Sequence, residues 1–243
     1  MLEKFLEFGL PTEAIAATLE QFLSLGFAAV SVGDAYAYPY AVISDGRICI
    51  GLHEQPLAET RPIFVRPDLA NHLPALRRQK ISLEYLRLGD NEFHEIGFRD
   101  PSEQLVSVVE ARTFSPPQNA GAGSSICGEF LELSLATGKI EDSERFWGSL
   151  GFKAVANGSL PYRWSRLGCL GAALGFHEAP AFRPALTFTT TQIDARLEYL
   201  RAKGFDASPG APVVPKAHPA ITLRLTDQIY FYLIETRDAE RDG

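Results

Sequence analysis

Leu25-Gly26-Phe27-Ala28-Ala29-Val30 is followed 125 residues later by Leu150-Gly151-Phe152-Lys153-Ala154-Val155. At the same spacing Phe5-Leu6-Glu7-Phe8-Gly9-Leu10 is answered by Phe130-Leu131-Glu132-Leu133-Ser134-Leu135. Further out, Pro39-Tyr40 pairs with Pro161-Tyr162, Gly51-Leu52-His53-Glu54 with Gly175-Phe176-His177-Glu178, Arg61-Pro62 with Arg183-Pro184, and Glu110 with Glu235. So long a period signals duplicated domains, because solenoid units recur every ~20–50 residues. Between the copies, Ser115 to Ser125 reads SPPQNAGAGSS, a stretch without periodicity that suits a flexible linker.

Each copy contains a smaller repeat. Residues 3 to 10 alternate as a strand, and Ile15, Leu19 and Phe22 then recur at helical spacing in a segment opened by Pro11-Thr12 and stopped before Gly26. Three β-rich segments follow at 27–33, 38–44 and 47–53, the last two joined by the hairpin signal Asp45-Gly46. A second module places a strand at 62–66, a helix at 68–79 that Pro74 is expected to kink or shorten, and strands near 83–88, 93–99 and 104–111. In the other half the helices fall at about 139–149 and 191–203, the latter opened by Thr191 with Asp194 three residues on and stopped at Gly204. Four strand-helix-strand-strand-strand modules result. The boundaries expected are a first domain at 1–113 (modules 1–56 and 60–113), a linker at 114–127, a second domain at 128–237 (modules 128–180 and 183–237) and a tail at 238–243.

Composition narrows the function classes. The chain has 243 residues, 46% hydrophobic and 22% charged, enough for large cores. A net charge of −7 leaves no basic surplus for nucleic acid or for a polybasic membrane anchor. No apolar run approaches the ~18 residues of a membrane span, and the N-terminus lacks the apolar core of a signal peptide. Three cysteines, Cys49, Cys127 and Cys169, form no CxxC pair, as suits a reducing compartment. The expectation is a cytoplasmic protein whose partner is a small molecule or another protein. No glycine-rich phosphate loop opens a helix, so nucleotide cofactors have no support.

Four such modules resemble the vicinal oxygen chelate superfamily of glyoxalases, extradiol dioxygenases and bleomycin- or fosfomycin-resistance proteins. The motifs that carry the likeness are Phe146-Trp147-Gly148-Ser149-Leu150-Gly151-Phe152, ending a first-module helix, and Gly97-Phe98-Arg99-Asp100-Pro101, before a last strand. The resemblance implies an α+β fold in which paired βαβββ modules form two cup-shaped glyoxalase-like domains, with helices on the outer faces and a site in each cup. It also implies metal-ligand positions on the first and last strands. These fall on Glu7, Arg61, Gly51 and Ser107 in one half, and on Glu132, roughly Ala185, Gly175 and Tyr232 in the other. Only the glutamates are ligands, and a stable site needs three or more oxygen or nitrogen donors. The inherited metal site therefore reads as lost. A displaced Glu-plus-His site, completed by His94, His218 or water, is the alternative.

Strand alternation sets Leu6, Phe8 and Leu10 on the helix side, with Leu131, Leu133 and Leu135 matching them, and directs Phe5, Glu7, Phe130 and Glu132 at the cups. Ile48, Ile50 and Leu52 take the helix side, so Cys49, Gly51 and His53 face the first cup. A carboxylate on a concave sheet face is costly unless paired, hydrated or shifted in pKa. The structural reading pairs Glu7 with Arg61, and Glu132 with Arg183 or a tyrosine. The functional reading makes Glu7 with His53, and Glu132 with His177, acid-base or anchoring pairs. Phe5, Cys49, Val65 and Val109 would wall the first cup, and Phe130, Tyr230, Tyr232 and Ala173 the second; Arg61 and Ser107 are further ligand contacts. The other HE dipeptide, His94-Glu95, and Glu54 and Glu178 read as strand-end polar residues, and Trp147 as core. The expectation is a metal-independent, cofactor-free site for a small hydrophobic or aromatic molecule. The competing readings are a divalent-metal lyase or dioxygenase with shifted ligands, and a non-catalytic interaction protein that forms a homodimer.

Overall fold

The computed structural model describes residues 2–31, 36, 38–54, 59–89, 93–110, 125–169 and 171–236. Nearly all of the expected linker, and the whole 238–243 tail, lie outside the described residues. Module one comprises β1 (Lys4–Pro11), α1 (Ile15–Ser24), β2 (Ala28–Val30), β3 (Tyr40–Ser44) and β4 (Cys49–His53). Module two comprises β5 (Arg61–Arg66), α2 (Leu69–Arg78), β6 (Leu83–Arg87), β7 (Glu95–Arg99) and β8 (Leu105–Glu110). Module three has β9 (Glu129–Ala136), α3 (Ile140–Ser149), β10 (Lys153–Gly158), β11 (Trp164–Cys169) and β12 (Ala172–His177). Module four has β13 (Ala185–Thr190), α4 (Ile193–Ala202), β14 (Asp206–Pro209), β15 (Ala220–Arg224) and β16 (Tyr230–Glu235).

Among the described residues these make an α+β fold of two eight-stranded sheets with the same order, β2-β3-β4-β1-β5-β8-β7-β6 and β10-β11-β12-β9-β13-β16-β15-β14. In both, the modules meet along their first strands, which pair antiparallel, while each first strand runs parallel to the last strand of its own module. This junction sets the first and last strands of both modules at the middle of each concave face.

Local chemistry explains the element ends. Asp45 Oδ1 accepts the Arg47 and Ile48 amides at 2.9 and 3.0 Å, and Gly46 takes φ of 89°, closing the β3–β4 hairpin. Glu178 Oε1 accepts the Ile140 amide that opens α3, and Glu110 Oε2 the Leu69 amide that opens α2, at 3.1 and 2.9 Å. One expectation fails here, and the shortening allowed for in another does not occur. Helix α2 runs through Pro74 and keeps the ten-residue length of the others, because the proline removes a single amide donor and the flanking turns hold. Helix α4 is opened by Gln192, left-handed at φ of 58°, instead of Thr191; Asp68 does the same for α2 at 50°. Modules two and four thus share a left-handed entry residue whose own side chain makes no cap hydrogen bond.

The helices do not form two separate outer layers. They lie between the sheets in one continuous hydrophobic cluster to which both halves contribute. Phe22 of α1 meets Phe231 of β16 at 5.6 Å between ring centres, and Trp147 of α3 meets Phe64 of β5 at 6.3 Å. Phe8 and Phe130 touch across the halves at 5.3 Å. The Trp147 indole, fully buried, donates to Asp100 Oδ2 at 2.9 Å, while Asp100 Oδ1 holds the Ser102 and Gln104 amides. Burial pushes the Asp100 carboxyl up to about 6, against the pull of those donors. With the convex faces joined, the concave faces point away from the common core.

The ladder corrects the expected strand faces. Register shifts between Phe5 and Glu7, and between Phe130 and Glu132, make Leu6 and Leu131 the extra residues of β-bulges. Phe5 therefore packs in the core at 4.7 Å from Phe8 and 5.7 Å from Phe64, and Phe130 lies 5.8 Å from Phe188. Neither phenylalanine walls a cup. Leu6 does so instead, against Ile63, Val65 and Val109. Simple alternation cannot place both aromatic neighbours of a cup-facing glutamate in the core; one inserted residue does.

Candidate functional site

The two glutamates occupy matching places on β1 and β9 and both face a cup, 1% and 2% exposed. Room for each comes from the neighbouring strand. A Cβ at Gly51 would lie 2.4 Å from Glu7 Oε1, and one at Gly175 only 2.0 Å from Glu132 Oε1. Each carboxylate fills the volume that a side chain on the last strand would otherwise take. The last-strand histidines then approach from two residues on. His53 Nε2 sits 3.0 Å from Glu7 Oε1, and His177 Nε2 sits 2.8 Å from Glu132 Oε1. An ionised carboxylate only accepts, so each Nε2 carries the proton and each Nδ1 is left to make its own contact.

Beyond these dyads the cups diverge. In the first, Tyr40 donates to Glu7 Oε2 at 2.5 Å and Tyr38 meets His53 Nδ1 at 3.1 Å. Tyr36 lies over the pair, its ring centre 5.1 Å from His53, 4.9 Å from Tyr40 and 4.9 Å from Phe93. Burial, followed by the nearby carboxylates, holds the Tyr36, Tyr38 and Tyr40 hydroxyls above the ordinary phenol range, so they remain neutral donors. Across the same cup, Tyr85 donates to Glu95 Oε1 at 2.7 Å, meets Ser107 Oγ at 2.7 Å and accepts from Arg61 at 3.0 Å. Arg61 and Glu95 lie 3.7 Å apart, and the Tyr85 ring covers Gly97, where a Cβ would come within 2.1 Å. Cys49 faces this cup, but burial and then Glu7 push its thiol up to about 11, which leaves it un-ionised.

In the second cup Glu132 takes a different second partner. Arg166 Nε donates to Oε2 at 2.7 Å, and Ser134 Oγ to Oε1 at 2.8 Å. Burial alone would raise the Glu132 carboxyl, yet His177 and Arg166 together bring it down to about 2. His177 stacks on Trp164 with centres 6.4 Å apart and meets the edge of Phe182 at 5.9 Å. Its Nδ1 is buried without a hydrogen-bond partner among the described residues. Phe182, Tyr230, Tyr232 and Val213 form an apolar cluster with Ala185 beside it.

Several expectations change. Glu7 pairs with His53 and Tyr40, not with Arg61, whose partners are Tyr85 and Glu95. Glu132 pairs with Arg166, not with Arg183, which donates to the Asp227 carbonyl at 2.6 Å. Ser107 is fully buried beneath Tyr85. Tyr232 donates to the Arg183 carbonyl at 3.2 Å, and Tyr230 lies under the Arg183 guanidinium at 5.4 Å. Glu95 enters the cup, while His94 turns to Glu110 and the Gly89 carbonyl, and His218 meets the Glu235 carbonyl. Neither histidine reaches a glutamate dyad. The ladders also pair Tyr40 with His53 and Trp164 with His177, so Trp164 and not Tyr162 is the counterpart of Tyr40, and Arg166 that of Val42.

The donor set does not fit a metal centre of the family's kind. The residues across the ladder from Glu7 are Ile63 and then Ser107, and those across from Glu132 are Thr187 and then Tyr232. Each carboxylate already fills the space beside its glycine, where a last-strand side chain would stand. Among the described residues no group of three His, Cys, Asp or Glu side chains converges as metal ligands require.

No protein-family model and no curated protein sequence matches this chain. Solved structures do. A catechol 2,3-dioxygenase superimposes with a TM-score of 0.60 at 14% identity, covering 97% of this chain and 93% of its own. The 2,3-dioxygenase LapB from Pseudomonas sp. KL28 gives 0.63 at 15%, covering 97% and 92%. An extradiol ring-cleaving dioxygenase from B. fuscum gives 0.63 at 11%, covering 99% and 74%. The chain has the two-domain vicinal oxygen chelate fold. Within that fold Glu7 and Glu132 stand on the two matching first strands, beside Gly51 and Gly175 and across the ladder from Ile63 and Thr187. Among the described residues no helix is long and apolar enough to cross a membrane.

Sequence reasoning missed Tyr36, Tyr38, Tyr85, Glu95, Trp164, Arg166 and Phe182. One signal was present for Arg166. Counting back from the β11–β12 turn places it opposite Gly175, hence beside Glu132. The tyrosines before β3 belong to a loop, where no periodicity reports direction.

Proposed function

We propose that the second cup is a metal-independent binding site for a small organic molecule, and that the first cup is its self-filled counterpart. One observation carries this reading: His177 Nδ1 is buried and unpartnered among the described residues, whereas His53 Nδ1 is met by Tyr38. A buried acceptor left without a donor costs about 1–3 kcal/mol, and a ligand O–H or N–H removes that cost. Trp164, Phe182, Tyr230 and Tyr232 offer the apolar walls that a ring or aliphatic body requires. The chemistry such a dyad supports is proton transfer: Nδ1 takes a proton from the bound ligand while Glu132 steadies the imidazolium through Nε2. That arrangement suits binding alone or an acid-base step.

The test is a thermal-shift screen of aromatic and hydrophobic compounds on the whole chain. A ligand at 100 times its dissociation constant stabilises by about 2.7 kcal/mol. Glu132→Gln and His177→Gln are expected to abolish the response, and Glu7→Gln to leave it intact. Responses lost with Glu7→Gln and kept with Glu132→Gln would place the site in the wrong cup. A stoichiometric divalent ion in protein purified without added metal would overturn the metal-independent reading.

A further inference from the structure

The two cups differ in charge as well as in filling. The ion pairs of the first cup hold two carboxylates, Glu7 and Glu95, and Arg61 and Arg87 both reach Glu95. Those of the second hold one carboxylate, Glu132. Arg166 donates to it through Nε alone, and among the described residues neither terminal nitrogen meets a protein acceptor. Its side chain is 21% exposed, so those nitrogens are reached from outside while the Nε edge is fixed. Its guanidinium lies 5.5 Å from the centre of the Trp164 ring, which holds the fork in place. Arg183, exposed above Tyr230, forms no ion pair among the described residues and donates only to a main-chain carbonyl.

Resting on the reading of the second cup given above, we infer that its ligand is an organic anion, a carboxylate borne on a ring or other apolar body. The carboxylate takes the terminal nitrogens of Arg166, and the apolar body lies against Phe182 and Tyr232. A guanidinium fixed on one edge by Glu132 and backed by an aromatic ring presents its remaining N–H groups with little rotamer freedom to lose, as bidentate recognition of a planar anion requires. Arg166 and His177 hold the same Glu132 carboxylate by its two oxygens, so an anion on Arg166 leaves Nδ1 of His177 to a hydroxyl or amine elsewhere on the ligand. Arg183 supplies a second positive charge at the mouth. The first cup lacks this device because Val42 stands at the position of Arg166.

Matched acid and amide pairs that share a hydroxyl donor for His177 Nδ1 test the inference: 3-hydroxybenzoate against 3-hydroxybenzamide, and 3-hydroxy-2-naphthoate against 3-hydroxy-2-naphthamide, titrated calorimetrically into the full chain. The acid is expected to bind about tenfold more tightly than its amide. Arg166→Gln should remove that preference, with Arg166→Lys retaining part of it. If Arg166→Gln does not fold, Arg183→Gln, on the exposed rim, should reduce the preference by about twofold to threefold. Equal or tighter binding of the amides overturns the anion and leaves the cup as a ligand site. A preference that survives both Arg166→Gln and Arg183→Gln overturns it as well. Binding of no member of either pair overturns the anion and the reading of the cup together.

Discussion

The two cups begin from the same parts and end differently. Each has a glutamate on its first strand, a glycine that makes room for the carboxylate, and a histidine two residues beyond that glycine. In the first, Tyr36, Tyr38, Tyr40 and Phe93 close over the dyad, and both ring nitrogens of His53 are satisfied from within the chain. In the second, Val42 becomes Arg166 and Tyr40 becomes Trp164. The carboxylate gains a cation, and the histidine keeps one nitrogen unmatched among the described residues. The same starting parts thus end as an aromatic-covered dyad in one cup and a cation-paired dyad in the other. His177 Nδ1 is one of several buried side-chain atoms without a hydrogen-bond partner among the described residues, and it is the one flanked by Trp164 and Phe182.

This contrast is open to attack at several points. The largest effects should come from the glycines. Gly175→Ala drives a methyl group into Glu132 and Gly51→Ala into Glu7, so each is expected to destabilise by about 3–5 kcal/mol, read from denaturant midpoints. Gly175→Ala should be the more severe, since its contact is the closer and Arg166 also loses its anion. Next, Glu132→Gln should destabilise by about 3 kcal/mol, because it leaves Arg166 beside a neutral amide. Glu7→Gln, whose partners are a neutral tyrosine and a histidine, should destabilise by about 1 kcal/mol. Equal losses in the two variants would erase the electrostatic distinction between the cups.

Titration should separate them further. Glu132 is lowered in the folded chain, to about 2 from its ordinary 4.5, so its stabilisation is present above pH 4.5 and is lost as pH falls toward 2. Unfolding measured from pH 6 to pH 2 should show that loss in the wild type and less of it in Glu132→Gln. A parallel slope in the two would contradict the assignment. The smallest effect should follow Tyr38→Phe, which strips His53 Nδ1 of its hydroxyl and reproduces in the first cup the state of the second. It is expected to destabilise by about 0.5 kcal/mol.

Much of the architecture was legible before any coordinates. The 125-residue repeat, the LGF helix endings and the hairpin signals lead directly to four modules, because duplication, amphipathic spacing and turn chemistry are all local or periodic in sequence. The glutamate faces were legible too. The phenylalanines beside them were not, since a bulge of one residue at Leu6 and Leu131 reverses the alternation without any glycine or proline to announce it. The common helical core was likewise hidden, because Phe22 and Trp147 satisfy a helix-on-sheet pattern whichever sheet they meet. In the sites, both Glu-His pairs followed from strand spacing. What distinguishes the cups, Tyr36 and Tyr38 on one side and Arg166 on the other, depends on loop direction and cross-strand register, which single-strand periodicity does not carry.

Histidine ring nitrogen NMR on the labelled full chain tests the central claim most directly. On adding the tightest ligand from the compound panel, the Nδ1 resonance of His177 should move as it gains a hydrogen bond, and that of His53 should stay where it is. A shift confined to His53, or ligand saturation that leaves His177 unmoved, would contradict the account.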